Sequence, residues 1–120
     1  MAQTIGIVDD DEGVGNSLGA MLRVFGLKTH IFVCAEDMLE APEQRDLDLL
    51  LTDLTLPGIS GLELISELER RGRRLPVIVM TGNMGELTRE EALSRGAVDF
   101  FEKPCRADAL LEAVQAVLSQ

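Results

Sequence analysis

Short apolar runs alternate along the chain with segments whose apolar residues recur at helical spacing. Continuous apolar runs of about four to eight residues are typical of strands buried in a parallel sheet. The second run contains more polar residues than the others, which favours a strand at the edge of the sheet. The runs predict five strands, at Ile5–Asp9, Thr29–Val33, Leu47–Thr52, Pro76–Met80 and Val98–Glu102.

Each predicted strand is followed by a predicted helix. Ser60 and Thr88 each have a glutamate three residues later, a capping-box pattern that marks a helix N-terminus. Gly26 follows the first helical pattern, and glycine is common just after a helix C-terminus. The predicted helices cover Val14–Phe25, Ala35–Ala41, Ser60–Arg71, Thr88–Gly96 and a last segment with Leu110, Leu111, Val114, Val117 and Leu118 on one face.

This strict alternation predicts an α/β fold with parallel strands, right-handed crossovers and helices on both faces of the sheet. We expect a flavodoxin-like, doubly wound (βα)5 arrangement with a five-stranded parallel sheet in the order 2-1-3-4-5. A chain of 120 residues suits one domain, so residues 1–120 are expected to form a single domain without an output domain. Such sheets carry their functional site at the carboxyl ends of the strands, near the point where the strand order reverses.

Polar residues stand at the carboxyl ends of four predicted strands. The first strand ends in the acidic run Asp9–Glu12, and the third strand ends at Asp53. The fourth strand is followed by Thr81 and the fifth by Lys103. Strands 1 and 3 are neighbours in the expected order, so their carboxylates should meet in one crevice. Carboxylates at such short distances repel one another unless a cation lies between them.

Mg²⁺ is the cation that suits this crevice, because it accepts one or two carboxylates, keeps several waters and can then bind phosphate oxygens. Asp9, Asp10 and Asp53 are the candidate carboxylates. Lys103 adds a mobile positive charge, and Thr81 adds a hydroxyl donor. These groups around one carboxylate predict a site for phosphoryl transfer, a reaction that depends mainly on positioning and charge neutralisation.

The net charge of −10 argues against nucleic-acid binding by this domain and against an anionic membrane surface, since both need clustered Lys and Arg. Cys34 and Cys105 are the only cysteines and form no C-x-x-C motif, which favours free thiols in a reducing compartment. No apolar run approaches the roughly 20 residues of a spanning helix, and the N-terminus lacks the basic region of a signal peptide. We therefore expect a soluble, cytoplasmic protein.

Four stretches of the chain resemble the receiver domains of two-component response regulators. They are Ile7-Val-Asp-Asp-Asp-Glu12, Leu51-Thr-Asp-Leu-Thr-Leu-Pro-Gly-Ile-Ser-Gly61, Val77-Ile-Val-Met-Thr-Gly82 and Gly96-Ala-Val-Asp-Phe-Phe-Glu-Lys-Pro104. The resemblance covers essentially the whole chain, and the order and spacing of the stretches make it highly specific. The last two stretches are most similar to the FixJ-like branch, whose regulators usually join the receiver to a helix-turn-helix output domain.

The resemblance implies a role for each residue around the crevice. Asp53 matches the phosphoacceptor, which takes its phosphoryl group from a sensor histidine kinase or a small phosphodonor. Asp10 matches the direct Mg²⁺ ligand of the acidic pair, and Asp9 matches its partner, which acts largely through water. The backbone carbonyl of Thr55 matches the third protein ligand. The domain would thus be a signalling receiver that catalyses only its own phosphorylation and dephosphorylation.

The resemblance also implies a switch. Thr81 matches the hydroxyl that moves onto the phosphoryl oxygens, and Lys103 matches the lysine that pairs with the acceptor and then with the phosphoryl group. Phe100 matches the aromatic that turns inward on activation, although a phenylalanine on a buried strand can simply be a core residue. The bond between Lys103 and Pro104 would be cis. The segment Gly82–Leu87 should be the most mobile part before phosphorylation, because it has two glycines and few apolar anchors.

On activation, the surface of the fourth helix, fifth strand and fifth helix is expected to change shape. In this family that surface commonly pairs with a second receiver or with an output partner, and control of transcription is the expected output.

Three features depart from the family pattern. Asp11 makes the acidic run three residues long, and we expect it at the start of the first helix, facing water. Gly13, Gly15 and Gly19 should weaken that helix by roughly 0.5–1 kcal/mol for each interior glycine. Cys105 stands where the family commonly has phenylalanine.

Two other functions are compatible with an acidic crevice in an α/β fold. An Mg²⁺-dependent hydrolase of the haloacid-dehalogenase kind would use Asp53 as its nucleophile, but such enzymes have a second aspartate where this chain has Thr55. A flavodoxin-like module for a flavin phosphate should have a first loop rich in Ser, Thr and Gly. The acidic run Asp9–Glu12 would repel that phosphate.

Overall fold

The structure is a computed structural model that describes residues 2–82 and 87–120. Within these residues five strands form one parallel sheet in the order β2-β1-β3-β4-β5, which confirms the predicted topology. The strand β2 lies at an edge, as its polar character predicts. The strands are β1 (Thr4–Val8), β2 (Lys28–Phe32), β3 (Leu49–Asp53), β4 (Val77–Thr81) and β5 (Asp99–Glu102).

Five α-helices alternate with the strands in the described residues, as predicted. They are α1 (Glu12–Val24), α2 (Ala35–Glu40), α3 (Gly61–Arg70), α4 (Arg89–Ser94) and α5 (Ala107–Leu118). The sequence did not predict the 3-10 helix Pro42–Asp46, which follows α2. The guanidinium of Arg73 donates to the carbonyls of Gln44 and Leu47, at 3.1 and 2.8 Å, and so fastens this segment. Among the helices of the described residues, none has both the length and the apolar character needed to cross a membrane.

Side-chain caps fix the starts of three helices. Both predicted capping boxes form, because the hydroxyls of Ser60 and Thr88 accept the backbone N–H of the glutamate three residues later, at 3.2 and 3.1 Å. Asp11 caps α1 by accepting the N–H of Val14 at 3.2 Å. Gly26, with φ at 86°, takes the left-handed conformation that ends a helix.

An apolar cluster covers each face of the sheet. Successive strand residues point to opposite faces, so Leu49 and Leu51 join one cluster and Leu50 joins the other. The first cluster packs the sheet against α1 and α5, and the second packs it against α2, α3 and α4. These two layers cover both faces of the sheet, and the predicted site lies at the ends of its strands.

Helix α1 packs unusually close to β2. A Cβ atom on Gly15 or Gly19 would lie 3.0 or 3.1 Å from the side chain of Ile31. Both glycines are buried, whereas Gly13 is exposed. The two buried glycines therefore allow α1 to pack closely against β2. This packing role accompanies the destabilisation of the helix that the sequence indicates.

The bounds of the strands differ from the predicted ones by one or two residues. The largest difference is in β3, which begins at Leu49 and not at Leu47. Asp48 ties this point to β1, since its N–H donates to the carbonyl of Thr4 and its carboxylate accepts the N–H of Thr4, both at 2.8 Å. At the other end, β3 extends to Asp53, so this residue belongs to the strand.

Candidate functional site

Three carboxylates meet at the carboxyl edge of the sheet. Asp9 directly follows β1 and Asp53 ends β3, and the parallel pairing of these strands brings both residues to the same edge. Oxygen atoms of Asp9, Asp10 and Asp53 all lie within 4.8 Å of one another. Asp9 is fully buried, Asp53 is partly buried and Asp10 is exposed. The cluster offers oxygen donors for a hard divalent cation, as the sequence predicts.

The third aspartate of the run lies outside this cluster. Asp11 caps α1, and its own backbone N–H donates to the carboxylate of Asp9 at 2.9 Å. The structure therefore divides the run between the cluster, which contains Asp9 and Asp10, and the helix start, which contains Asp11.

Lys103 lies between two of the carboxylates. It follows β5, and its backbone N–H donates to the carbonyl of Thr81 at 2.6 Å. Its Nζ is 2.7 Å from Asp9 and 3.3 Å from Asp53. The sequence indicated a pairing with Asp53, but the shorter contact with Asp9 was not expected. The bond from Lys103 to Pro104 is cis.

The surroundings of the site raise the pKa of both Asp53 and Lys103. Burial raises the pKa of the Asp53 carboxyl; the charge of Lys103 opposes this shift, the charge of Asp9 adds to it, and the pKa stays above its ordinary value. Burial lowers the pKa of the Lys103 ammonium, but its hydrogen bond to Asp9 and the charges of both carboxylates outweigh burial and raise it. Lys103 therefore remains a cation at neutral pH, while the charge on Asp53 is disfavoured without a further cation.

The two residues of the predicted switch lie on neighbouring strands. Thr81 ends β4 and is buried, with its Cα paired in register with that of Glu102. Phe100 pairs with Val79, two residues earlier on each strand, and is only 6% exposed. Phe100 is thus already inward in this structure, where it packs in the cluster beneath α3 and α4. The segment Gly82–Leu87 was predicted to be mobile, but residues 83–86 lie outside the described residues.

The backbone around Asp53, the predicted acceptor, is closely constrained. The hydroxyl of Thr52 donates to the carbonyl of Asp53 at 3.0 Å, and a Cβ atom on Gly61 would lie 2.5 Å from the same carbonyl oxygen. The backbone of Thr55 hydrogen-bonds the Asp53 carboxylate, which lowers the pKa of that carboxyl. Neither Thr52 nor Gly61 stood out from the sequence as a site residue. The sequence clue to Thr52 was its position next to Asp53. The clue to Gly61 was a glycine at the predicted start of a helix.

An open pocket of about 370 Å³ adjoins the site. Its wall is mostly apolar and is formed by α1, β4 and the segment after β5. The lining residues are Val14, Leu18, Met80, Lys103, Pro104 and Cys105. Cys105 is a free thiol of intermediate exposure at this wall.

The doubly wound sheet and the acidic cluster at its carboxyl edge fit the receiver type of α/β domain. The chain belongs to the family of response regulator receiver domains, whose family model matches residues 5–115. It is therefore a receiver domain of the two-component type, and neither alternative function finds support among its relatives.

Particular relatives narrow this assignment to the FixJ-like branch. The transcriptional regulatory protein FixJ of Azorhizobium caulinodans is 41% identical over 114 residues, which cover 95% of this chain and 54% of FixJ. The response regulator protein TodT of Pseudomonas putida is 34% identical over 117 residues, which cover 98% of this chain and 52% of TodT. The chain thus spans about half the length of these curated relatives. The crystal structure of FixJ-N superposes with a TM-score of 0.86 at 36% identity, covering 100% of this chain and 96% of that one.

Proposed function

We propose that the domain accepts a phosphoryl group on the side chain of Asp53 in an Mg²⁺-dependent reaction. The observation that carries the proposal is the grouping of Asp53 with two further carboxylates within 4.8 Å and with the Lys103 ammonium at 3.3 Å. A carboxylate nucleophile, a cation site and a fixed positive charge are the parts that phosphoryl transfer needs. Membership in the receiver family supports the same conclusion.

Asp10, Asp53 and the backbone carbonyl of Thr55 would hold Mg²⁺, with Asp9 acting through water. The side chains among these are oxygen donors gathered at one edge of the sheet, which fits the ligand preference of this cation. Bound there, Mg²⁺ would offset the negative charge of the incoming phosphoryl group and of the carboxylates.

In the proposed transfer, a carboxylate oxygen of Asp53 attacks phosphorus while the bond from phosphorus to the donor breaks. The electron pair of that bond leaves with the donor, which is the imidazole of a sensor histidine kinase or the acetate of acetyl phosphate. Lys103 moves its positive charge from Asp53 to the new phosphoryl oxygens, and the hydroxyl of Thr81 donates to them. Position 55 is a threonine, so the site has no second aspartate there to act as acid and base on a separate substrate.

The proposed output is a change in the surface formed by α4, β5 and α5. Movement of Thr81 toward the phosphoryl group would be coupled to the position of Phe100, since the two residues lie on one face of neighbouring strands. Phosphorylation would bias an equilibrium between two arrangements of this surface, one of which pairs with a second receiver or an output partner. The name of FixJ, a transcriptional regulatory protein, supports control of transcription as the output. The two free thiols are in keeping with a reducing compartment such as the cytoplasm.

The proposal is tested by incubating the purified domain with Mg²⁺ and acetyl phosphate and measuring its intact mass. We expect the mass of one added phosphoryl group, its loss in excess EDTA, and no adduct in Asp53→Asn. The matched control is Asp46→Asn, because Asp46 is an exposed aspartate outside the cluster and should leave labelling unchanged. Equal labelling of Asp53→Asn and the wild-type chain would exclude Asp53 as the acceptor.

A further inference from the structure

The peptide unit that joins Asp53 to Leu54 is held on three sides. Its N–H group, on Leu54, donates to the carbonyl of Met80 in β4 at 2.7 Å. Its carbonyl group, on Asp53, accepts the hydroxyl of Thr52 at 3.0 Å. On the third side the backbone of Gly61, at the start of α3, lies so close that a Cβ atom on this residue would be 2.5 Å from the carbonyl oxygen.

This peptide unit lies between the two backbone positions that matter most to the proposed metal site. The Asp53 side chain leaves the backbone directly before it, and the predicted carbonyl ligand of Thr55 follows two residues after Asp53. A rotation of the peptide plane would change the direction of both ligands together. Metal sites depend on such outer contacts, because these contacts orient the groups that touch the ion.

We infer that Thr52 is a positioning residue for phosphoryl acceptance: its buried hydroxyl fixes the Asp53–Leu54 peptide plane and so aligns the Asp53 carboxylate with the Thr55 carbonyl. The inference rests on the proposed function of Asp53. Thr52 is fully buried, and its side chain lies on the face of β3 that packs against α3. Its hydroxyl is therefore shielded from solvent and donates to the carbonyl of Asp53.

A purely structural role for Thr52 predicts different behaviour from a positioning role. Valine has the shape of threonine without the hydroxyl and suits a buried strand. If Thr52 only fills space, Thr52→Val should retain both the fold and metal binding. If Thr52 aligns the site, Thr52→Val should stay folded while its ligands lose their alignment.

The test measures Mg²⁺ affinity by isothermal titration calorimetry, and the rate of phosphorylation by acetyl phosphate at saturating Mg²⁺. We expect Thr52→Val to bind Mg²⁺ about tenfold more weakly and to be phosphorylated several-fold more slowly. Thr52→Ser, which keeps the hydroxyl, should restore both values to within about twofold of the wild-type chain. The matched control is Thr4→Val, a buried threonine at the opposite end of the neighbouring strand, which should change neither value.

Unfolding in urea accompanies these measurements, and Thr52→Ala provides a second hydroxyl-free variant should valine not be accommodated. Mg²⁺ affinity within twofold of wild type in the folded hydroxyl-free variant would overturn the inference. The inference would also fail if Thr52→Ser bound Mg²⁺ as weakly and were phosphorylated as slowly as Thr52→Val. Failure of the wild-type chain itself to bind Mg²⁺ or take a phosphoryl group would instead overturn the proposed function, and the inference with it.

Discussion

Replacing Asp53 with asparagine should stabilise the metal-free domain. In that state the Asp53 carboxylate is partly buried and is crowded by the carboxylates of Asp9 and Asp10. Asparagine has nearly the same shape and removes the charge. The single positive charge of Lys103 is shared between Asp9 and Asp53, and its shorter contact is with Asp9. The Lys103–Asp9 pair can therefore remain when Asp53 is neutral.

The distances set the size of the effect. The carboxylate oxygens lie no more than 4.8 Å apart, and at an effective dielectric constant of about 20 two like charges at that limit repel by roughly 3.5 kcal/mol. Two such neighbours give about 7 kcal/mol, and the attraction of Lys103 at 3.3 Å offsets about 5 kcal/mol of this. The remaining repulsion is about 2 kcal/mol, and screening of the exposed Asp10 by salt reduces it. Burial of the Asp53 carboxylate, the largest cause of its raised pKa, acts in the same direction as the repulsion. We expect Asp53→Asn to raise the free energy of unfolding by about 1–2 kcal/mol at low ionic strength.

The effect should depend on pH in a defined direction. The folded-state pKa of Asp53 is raised above its unfolded value of 3.8, so the folded chain binds this proton more tightly than the unfolded chain does. The charge on Asp53 therefore destabilises the fold above the folded-state pKa, and this effect disappears below pH 3.8. The advantage of Asp53→Asn should shrink as the pH falls through that window.

The assay is urea unfolding in EDTA, followed by the helical circular dichroism signal, with Asp46→Asn as the exposed control. Adding Mg²⁺ should stabilise the wild-type chain in proportion to the logarithm of its concentration above the dissociation constant, and should reduce the difference from Asp53→Asn. If Asp53→Asn in EDTA is no more stable than the wild-type chain while Asp46→Asn is neutral, the carboxylates do not repel in the way the distances require.

Three further predictions concern the site. Asp10→Ala should weaken Mg²⁺ binding in calorimetry and slow phosphorylation more than Asp11→Ala does, because Asp10 lies in the cluster and Asp11 caps α1; equal effects would mean that the acidic run has another register. Beryllofluoride, an acyl-phosphate mimic, should reduce hydrogen exchange in residues 82–103 and promote self-association. Thr81→Ala should leave Asp53 modifiable but abolish both responses. Unchanged exchange in the wild-type chain would count against the switch. Gly61→Ala should lower the free energy of unfolding by about 1–3 kcal/mol in urea, because a Cβ atom there meets the backbone of Asp53 at 2.5 Å. Its control is Gly82→Ala, where a Cβ atom meets no atom of the described residues within 4 Å.

The topology and the acidic cluster were predictable because both follow from the order of residues along the chain. Buried strands form continuous apolar runs, and in a parallel sheet the residue after each run must lie at the carboxyl edge. Asp9 and Asp53 therefore had to approach one another once the strand order was known. The caps at Ser60 and Thr88 were predictable for a similar reason, since they depend only on residues three apart.

The features that the sequence did not predict depend on distances between separate elements. The contact of Lys103 with Asp9 depends on how the segment after β5 crosses the end of β1. The close packing of Gly15 and Gly19 depends on Ile31, which lies on another element. The 3-10 helix Pro42–Asp46 relies on hydrogen bonds from Arg73, far along the chain. Local periodicity contains no information about such contacts.

The salt bridge between Lys103 and Asp9 joins residues that are 94 positions apart. The site therefore has a high contact order, and no fragment that ends before β5 can contain its lysine. During synthesis, β1 and β3 can pair while the fifth strand is still unmade, but the positive charge between their carboxylates arrives only with the last part of the domain. Competence for the proposed phosphoryl transfer would thus require that the whole sheet has assembled.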